Sequence, residues 1–289
     1  MDYPSLMKTF DPEKLNLRTN YHLMISGIIP RPIALVTSID QAGLVNLAPF
    51  SFYNGFGSNP PIVGFSPASS GRTGKSKDTL LNVRETGEFT ISMVTFSMMD
   101  KMIITSQEFD RDVDEYIESG FSKRISDVVT PPYVAESPYI LECKLWDIVD
   151  LGGKPGSGNL ILGKVVRYHV SDSVLDNEDR ISSHKLDAVG RLGGSSYVRV
   201  RDAIFEVNLS SGIGFAKLPE FVLNCSVLTA DHLKKLASVV EIPSPDRDGL
   251  QSLDLQPAIE LEWLCRKLID SGELVRAWQV IYKIGERCV

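Results

Sequence analysis

The sequence predicts a mainly β fold with added α-helices: a closed or partly closed antiparallel barrel followed by a mainly helical C-terminal extension. Three observations carry this reading. Between residues 30 and 205, β-branched and aromatic runs outnumber helical ones, and most are joined by connections short enough for antiparallel pairing. Two of these runs, Tyr139 to Val149 and Leu160 to Val170, flank the glycine-rich Gly152 to Gly158, as in a hairpin with a mobile loop. After Val207 the pattern changes, and apolar residues recur at helical spacing.

The elements follow in order. Ile33 to Ile39 is a β-branched run ended by the turn signal Asp40-Gln41-Ala42-Gly43. Leu44 to Phe56 comes next, and Pro49 inside it confines that stretch to a sheet edge or a bulge. Asn59-Pro60-Pro61 is a stop, and Ile62 to Phe65 is a short buried strand. Thr79 to Glu85 reads as a helix with Leu80, Leu81 and Val83 apolar and Gly87 as its C-cap. Glu88 to Val94 is again a strand, and Met98 to Ser106 and Asp112 to Glu118 read as short helices. Tyr197 to Val200 is a further strand candidate.

In the extension, Thr229 can cap a helix carrying Leu233, Leu236 and Val240 on one face. Ile242 to Gly249 reads as a linker, and Pro257 to Ile269 as a helix with Ile259, Leu261, Leu264 and Leu268 apolar. Leu274 to Ile284 fits either helix or strand. The helical stripes need burial, which is expected on the barrel or on a partner subunit.

Composition narrows the function classes. A net charge of −7 and a pI near 5.2 argue against a nucleic-acid-binding surface. No apolar run approaches the ~20 residues of a membrane span, and Met1 to Arg18 has no signal-peptide core. A cytoplasmic address without membrane attachment is the expectation. Cys143, Cys225, Cys265 and Cys288 form no CxxC pair, so neither zinc nor a disulfide scaffold is implied. His22, His184 and His232 have no carboxylate or cysteine at ligand spacing, so no metal site is expected. His169, on a strand, reads as a structural histidine.

Two segments could carry chemistry. Ser66 to Thr79 joins a strand to a helix and holds Ser66, Ser69, Ser70, Thr73, Ser76 and Thr79 with Arg72, Lys75 and Lys77. Free amides at a helix start, hydroxyls and a lysine suit a phosphate, and they equally suit a solvated loop. Ser69 to Ser76 also nearly spells a Walker A loop, with Ser69 where that motif wants glycine or alanine. The other segment, Asn46 to Phe52, mixes Asn, Pro and Ser into a strand. It reads either as an ordinary bulged edge or as a rim of polar groups for a planar heterocycle.

The order of motifs is more specific than any one of them. Arg31-Pro32-x-Ala34-Leu35-Val36-Thr37 is followed by Asn46-Leu47-Ala48-Pro49-Phe50-Ser51-Phe52, then Pro60-Pro61-x-Val63-x-Phe65-Ser66, Lys77-Asp78-Thr79 and Gly87-Glu88-Phe89. Further on come Leu162 to Val166, and Gly190 to Gly194 with Tyr197. This order resembles the flavin reductase-like family over about residues 21 to 205.

The resemblance implies an FMN-binding split β-barrel of antiparallel Greek-key type, dimeric, with FMN near the subunit interface. The chain then divides into a tail over 1–20, the barrel over 21–205 and the extension over 206–289. FMN, rather than FAD, is expected along Asn46, Leu47, Ala48, Pro49, Phe50 and Ser51, with Thr37 nearby. Its phosphate is expected at Ser66, Lys77, Asp78 and Thr79, and Arg191 and Tyr197 close to the ring or at the dimer contact. The expected chemistry is hydride transfer from transiently bound NAD(P)H to the flavin, with electrons passed to free flavin, oxygen or a partner. No side-chain nucleophile is needed. Three alternatives stay open at this point: an FMN oxidase or oxygenase acting on a small organic substrate, a non-catalytic electron carrier, and a P-loop nucleotide-binding protein.

Overall fold

A computed structural model describes residues 7–205, 212–246 and 257–287. The first six residues of the expected tail, the start of the extension, the end of the Ile242 to Gly249 linker and Cys288 lie outside the described residues. The chain forms two compact units, residues 1–204 and 205–289.

The first unit opens with helix α1 (Leu17–Gly27), capped by the Asn16 side chain, which accepts the Thr19 N–H. This helix begins inside the stretch that sequence reading takes as a tail. It was hard to see because its apolar residues do not share one face: Ile25 is buried, whereas Leu17, Tyr21, Leu23 and Met24 are exposed. The strands β1 (Arg31–Pro32), β2 (Ala34–Ile39), β3 (Val45–Phe50), β4 (Tyr53–Ser58) and β5 (Pro61–Phe65) follow. Helix α2 (Asp78–Thr86) ends at Gly87, whose φ of 70° closes the helix in the left-handed region.

Next come β6 (Glu88–Met93), α3 (Met99–Thr105), α4 (Glu115–Ser119) and the short pair β7 (Lys123–Arg124) and β8 (Tyr133–Val134). The long hairpin β9 (Tyr139–Asp150) and β10 (Asn159–Val170), then α5 (Ser183–Leu186), β11 (Val189–Arg191) and β12 (Tyr197–Arg199), complete the unit.

The main sheet is antiparallel, in the order β3-β2-β6-β9-β10-β5-β4. Its two edge strands are consecutive in sequence, joined only by Ser51 and Phe52. Two residues span roughly 7 Å, whereas the edges of a flat seven-stranded sheet lie about 29 Å apart. The sheet must therefore curl until its edges meet. Pro49 sits on edge strand β3, where its missing N–H breaks no ladder. What reads in sequence as one run, Leu44 to Phe56, is thus two strands at opposite ends of one sheet.

Strand β2 is buried on both faces. Ala34 and Val36 face a core with Phe65, Leu80, Val83, Phe89 and Ile91, so α2 plugs the curled sheet. Leu35 faces the other way, with Leu47, Met98, Met102 and Tyr116 beneath α3 and α4. The glycine-rich hairpin loop, expected to be mobile, is tied to the cationic loop: Ser69 N–H donates to Ser157 O at 2.9 Å and Gly156 N–H to Ser69 O at 3.2 Å.

The second unit contains α6 (Glu220–Leu223), α7 (Ala230–Ala237), α8 (Ala258–Asp270) and α9 (Leu274–Arg287). The ambiguous Leu274 to Ile284 is helical, with Ala277, Trp278, Val280 and Ile281 buried. The stripes of α7, α8 and α9 bury one another: Leu236, Leu261, Cys265, Leu268, Ile269 and Trp278 form one core. The unit thus covers much of these stripes itself, with Leu218 and Val222 added to the core, while Val240 and Ile259 of the expected faces remain exposed.

Candidate functional site

A cleft of about 660 Å³ opens where the sheet closes on itself. One wall is β3 and the Ser51–Phe52 join. A second is the loop from Ser66 to the start of α2, a third is Thr105 to Asp110 with Glu115 behind it, and α1 contributes Tyr21 and Ile25. Asn46, Ala48, Pro49, Phe50, Ser51, Ser66, Lys77, Asp78 and Thr79, all anticipated from sequence, line this one cleft.

Its lining is of two kinds. Tyr21, Ile25, Phe50 and Phe52 supply apolar surface that can form a slot. Ser66, Ser70, Arg72, Lys75, Lys77 and Thr79 supply hydroxyls and cations. Helix α2 starts there with no side-chain cap, and the Asp78 and Thr79 amides have no hydrogen-bond partner among the described residues. Orphan amides and the positive end of the helix dipole converge on the space beside Lys77.

Hydroxyl orientation follows from the partners. Asn46 Nδ2 donates to Thr79 Oγ1 at 2.8 Å, so the Thr79 hydroxyl has its own proton to give. The Arg31 Nε–H donates to Ser51 Oγ at 3.4 Å, and since a guanidinium offers only donors, the Ser51 proton is likewise free. Ser66 Oγ is buried and has no hydrogen-bond partner among the described residues. A buried hydroxyl left unpaired is costly, and one that lines a cleft is a ligand contact in waiting.

Charge is balanced locally. Lys77 Nζ lies 3.2 Å from Glu108 Oε1, and Lys77, with Arg72 and Lys75 behind it, holds the Glu108 carboxyl below the usual range. Arg111 binds Asp78 at 2.8 Å and Asp40 at 3.1 Å, which fastens the Thr105 to Asp110 wall to α2. Burial pushes the Glu115 pKa up, although Leu47 N–H donates to its Oε2 at 3.0 Å.

Four anticipated residues lie outside the cleft lining. Thr37 is fully buried behind β3 and shares a hydrogen bond of 2.7 Å with the Tyr116 hydroxyl. The Leu47 side chain points into the core beneath α3 and α4, because strand residues alternate faces. Its N–H, which points off the sheet edge, is taken by Glu115. The next outward position on that edge is Pro49, which has no N–H, so donors at this rim come from side chains rather than from a row of backbone amides. Arg191 and Tyr197, paired across β11 and β12, stack with the guanidinium 4.3 Å from the ring centroid.

Sequence reading missed Tyr21, Ile25, Phe109 and the acids Glu108 and Glu115. The acid-rich Asp110 to Glu115, with Arg111 in its midst, was the available signal. The P-loop alternative loses its helix, which begins at Asp78 rather than at Lys75-Ser76. Away from the cleft, His169 has the structural role expected of it: its Nε2–H donates to Glu142 at 2.6 Å. Asp127 completes a cluster with these two, but Glu142 already accepts the N–H groups of Asp127, Val128 and Val129.

An antiparallel sheet curled onto a donor-lined cleft defines a class of cofactor-binding barrels. The chain belongs to the flavin reductase-like family, whose domain model matches residues 26–184. Among solved structures, it is similar to nitrilotriacetate monooxygenase component B from Bacillus cereus, at 31% identity and a TM-score of 0.66, over 70% of this chain and 100% of that one. It is also similar to 2-nitrobenzoate 2-nitroreductase of Pseudomonas fluorescens, at 28% identity and a TM-score of 0.61, over 74% and 99% of the two chains. A split barrel domain protein from Shewanella frigidimarina, at 24% identity and a TM-score of 0.55 over 64% and 90%, shares the fold.

The protein is thus a flavin-dependent oxidoreductase with a split β-barrel. The residues present fit a flavin: an apolar slot for the ring, and an unpaired buried hydroxyl, free helix amides and a lysine for its anionic tail. No helix among the described residues is long and apolar enough to cross a membrane.

Proposed function

We propose that the cleft binds FMN and that the protein oxidises NAD(P)H, passing the electrons to free flavin, oxygen or a partner. The unpaired, buried Ser66 hydroxyl carries this reading, since it shares the cleft with the free amides at the start of α2. Lys77, Thr79 and the Asp78 amide hold the phosphate. Tyr21, Ile25, Phe50 and Phe52 hold the ring and keep water from one face of it. When bound, the flavin supplies a hydride acceptor at N5, and the ring then carries one extra negative charge near N1 and O2. Ser51 and Asn46 orient that edge through their side chains. No acid or base side chain needs to move a proton for this transfer.

A homodimer belongs to the same proposal. Met24, Ile28 and Ile29, at 52%, 56% and 48% exposure, form an apolar surface at the end of α1 that a second copy would cover.

The absorbance spectrum of the purified protein tests the reading. It should be yellow, or should take up FMN more tightly than riboflavin, and NADH or NADPH should bleach it quickly under anaerobic conditions. A colourless protein that binds neither FMN nor FAD overturns it. Slow bleaching with a substrate-dependent signal would instead favour direct action on a small organic molecule, a reading supported by the apolar slot and by the similarity to a nitroreductase.

A further inference from the structure

Arg31 is the least expected charge in the barrel. Its side chain is 5% exposed, yet no carboxylate pairs with it among the described residues. Its donors go to neutral oxygens: Nη1 to Ile25 O at 2.5 Å and Ile28 O at 2.6 Å, and Nη2 to Leu192 O at 3.1 Å. The first two are carbonyls at the end of α1, where a helix dipole favours a cation. Carbonyl dipoles satisfy the hydrogen bonds, but they do not supply a full negative charge.

The surroundings sharpen the imbalance. In the β1–β11 pair, Arg31 stands directly opposite Arg191. Like charges facing each other across a strand pair are unfavourable. Arg191 stacks on Tyr197 and donates to Gly194 O at 2.6 Å, and it too has no carboxylate partner among the described residues. Burial pulls the Arg31 pKa down, the nearby Tyr21 works against that, and Arg191 adds to it, while an arginine stays charged at neutral pH. Two arginines with no carboxylate partner among the described residues therefore stand opposite each other, and one of them, Arg31, bonds to residues that line the cleft.

One of the two remaining Arg31 donors, the Nε–H, points toward that cleft. Its Nε–H reaches Ser51 Oγ at 3.4 Å, and its guanidinium lies 5.9 Å from the Phe52 ring centroid. Ser51, Phe52 and Ile25, all touched by Arg31, line the slot. Because Ser51 accepts from Arg31, its own O–H is left as a donor into the slot.

We propose that Arg31 is a positioning residue whose uncompensated buried charge, relayed by the Ser51 hydroxyl, favours the reduced over the oxidised flavin. This rests on the FMN reading and goes beyond it. Hydride transfer adds one negative charge to the ring. A fixed cation one layer behind the slot stabilises that charge without blocking the ring or the hydride donor. The same guanidinium holds the end of α1, so it also sets the place of Ile25 over the slot.

The test compares affinities for oxidised and photoreduced FMN, read together with the midpoint potential of the bound flavin. Wild type, Ser51→Ala, Arg31→Gln and Arg31→Lys are measured. Arg31→Gln should weaken reduced FMN about tenfold more than oxidised FMN, the scale of a lost charge-assisted contact, and move the potential in the negative direction. Ser51→Ala should shift both the same way by less, and adding it to Arg31→Gln should change little further. Arg31→Lys, which keeps the charge, should restore much of the shift. An Arg31→Gln protein that loses both affinities equally has lost only structure, and that result overturns the proposal. If Arg31→Gln does not fold, Ser51→Ala decides alone, and an unchanged ratio overturns the proposal. A wild-type protein that takes up no FMN overturns the underlying reading instead, so the two failures are told apart.

Discussion

Gly158 lies so close to Ser66 that a Cβ at position 158 would sit 2.6 Å from the Ser66 hydroxyl oxygen. The hairpin loop thus presses on the one buried hydroxyl of the cleft that has no partner. Gly158→Ala must push Ser66 toward the ligand or push the β10 backbone away. Overpacking of this kind costs about 1–3 kcal/mol. The expected outcome is a melting temperature of the flavin-free protein lowered by several degrees and, beyond that, FMN affinity reduced roughly tenfold, the scale of one lost hydrogen bond. Unchanged affinity in a fluorescence titration would separate Ser66 from the ligand.

Lys77→Ala should weaken FMN more than riboflavin, which lacks the phosphate. A charge-assisted contact is worth roughly 1.5–3 kcal/mol, about ten- to a hundredfold. Glu108→Gln should act in the opposite direction, because it frees Lys77 from its exposed carboxylate partner. That gain should be a few-fold at most, since exposed pairs contribute only about 0–1 kcal/mol. Equal losses of FMN and riboflavin in Lys77→Ala would place the phosphate elsewhere.

Glu142 should make the barrel acid-sensitive. Burial raises its pKa, but the Asp127 N–H, the His169 ring and the Val128 N–H outweigh burial and hold the carboxyl below its usual range. A carboxylate with a depressed folded pKa stabilises fully above the unfolded value of about 4.3. That stability is lost as pH falls through the lower, folded value. Glu142→Gln should therefore cost about 1.5–3 kcal/mol at neutral pH and flatten the acid limb of a urea-melt series. An acid limb of unchanged slope would show that other groups govern it.

The helical unit is expected to stand or fall as a whole. A chain ended after Ile242 keeps α7 but loses α8 and α9, which supply Leu261, Cys265, Leu268, Ile269 and Trp278 to the core around Leu236. That chain should aggregate. A chain ended after Ile204 leaves no such stripe, and the barrel's cores draw only on residues before that point. It should remain soluble and bind FMN with unchanged affinity in gel filtration and titration. Aggregation of the shorter chain too would show that the barrel needs the helical unit.

Much of the cleft was legible because its chemistry is local. Lys77-Asp78-Thr79 opens a helix, and Ser66 follows the strand before it, so this wall of the cleft can be written from the consecutive positions 66–79. Pro49 announced an edge strand because it lacks an N–H. The face of each residue was less legible. Thr37 and Leu47 sit in motifs beside the cleft, yet the strand pleat turns them into the core. Glu115 and Tyr21 enter the site through tertiary packing alone, from elements that carry no pattern tied to the cleft. Arg31 was visible as part of a motif, but only the structure shows that its charge has no answering acid among the described residues.

The join between β3 and β4 has a thermodynamic corollary. Closure of the sheet depends on a two-residue seam, and both residues of it, Ser51 and Phe52, line the cleft proposed to hold the ligand. A molecule placed there acts as a clasp: prising the barrel apart would also expel the flavin. Binding energy then adds directly to resistance against opening, by an amount that grows with the logarithm of free FMN concentration. Cells short of flavin would hold a looser barrel, open first at the join and exposed there to proteases, so the supply of cofactor would set how long the polypeptide survives.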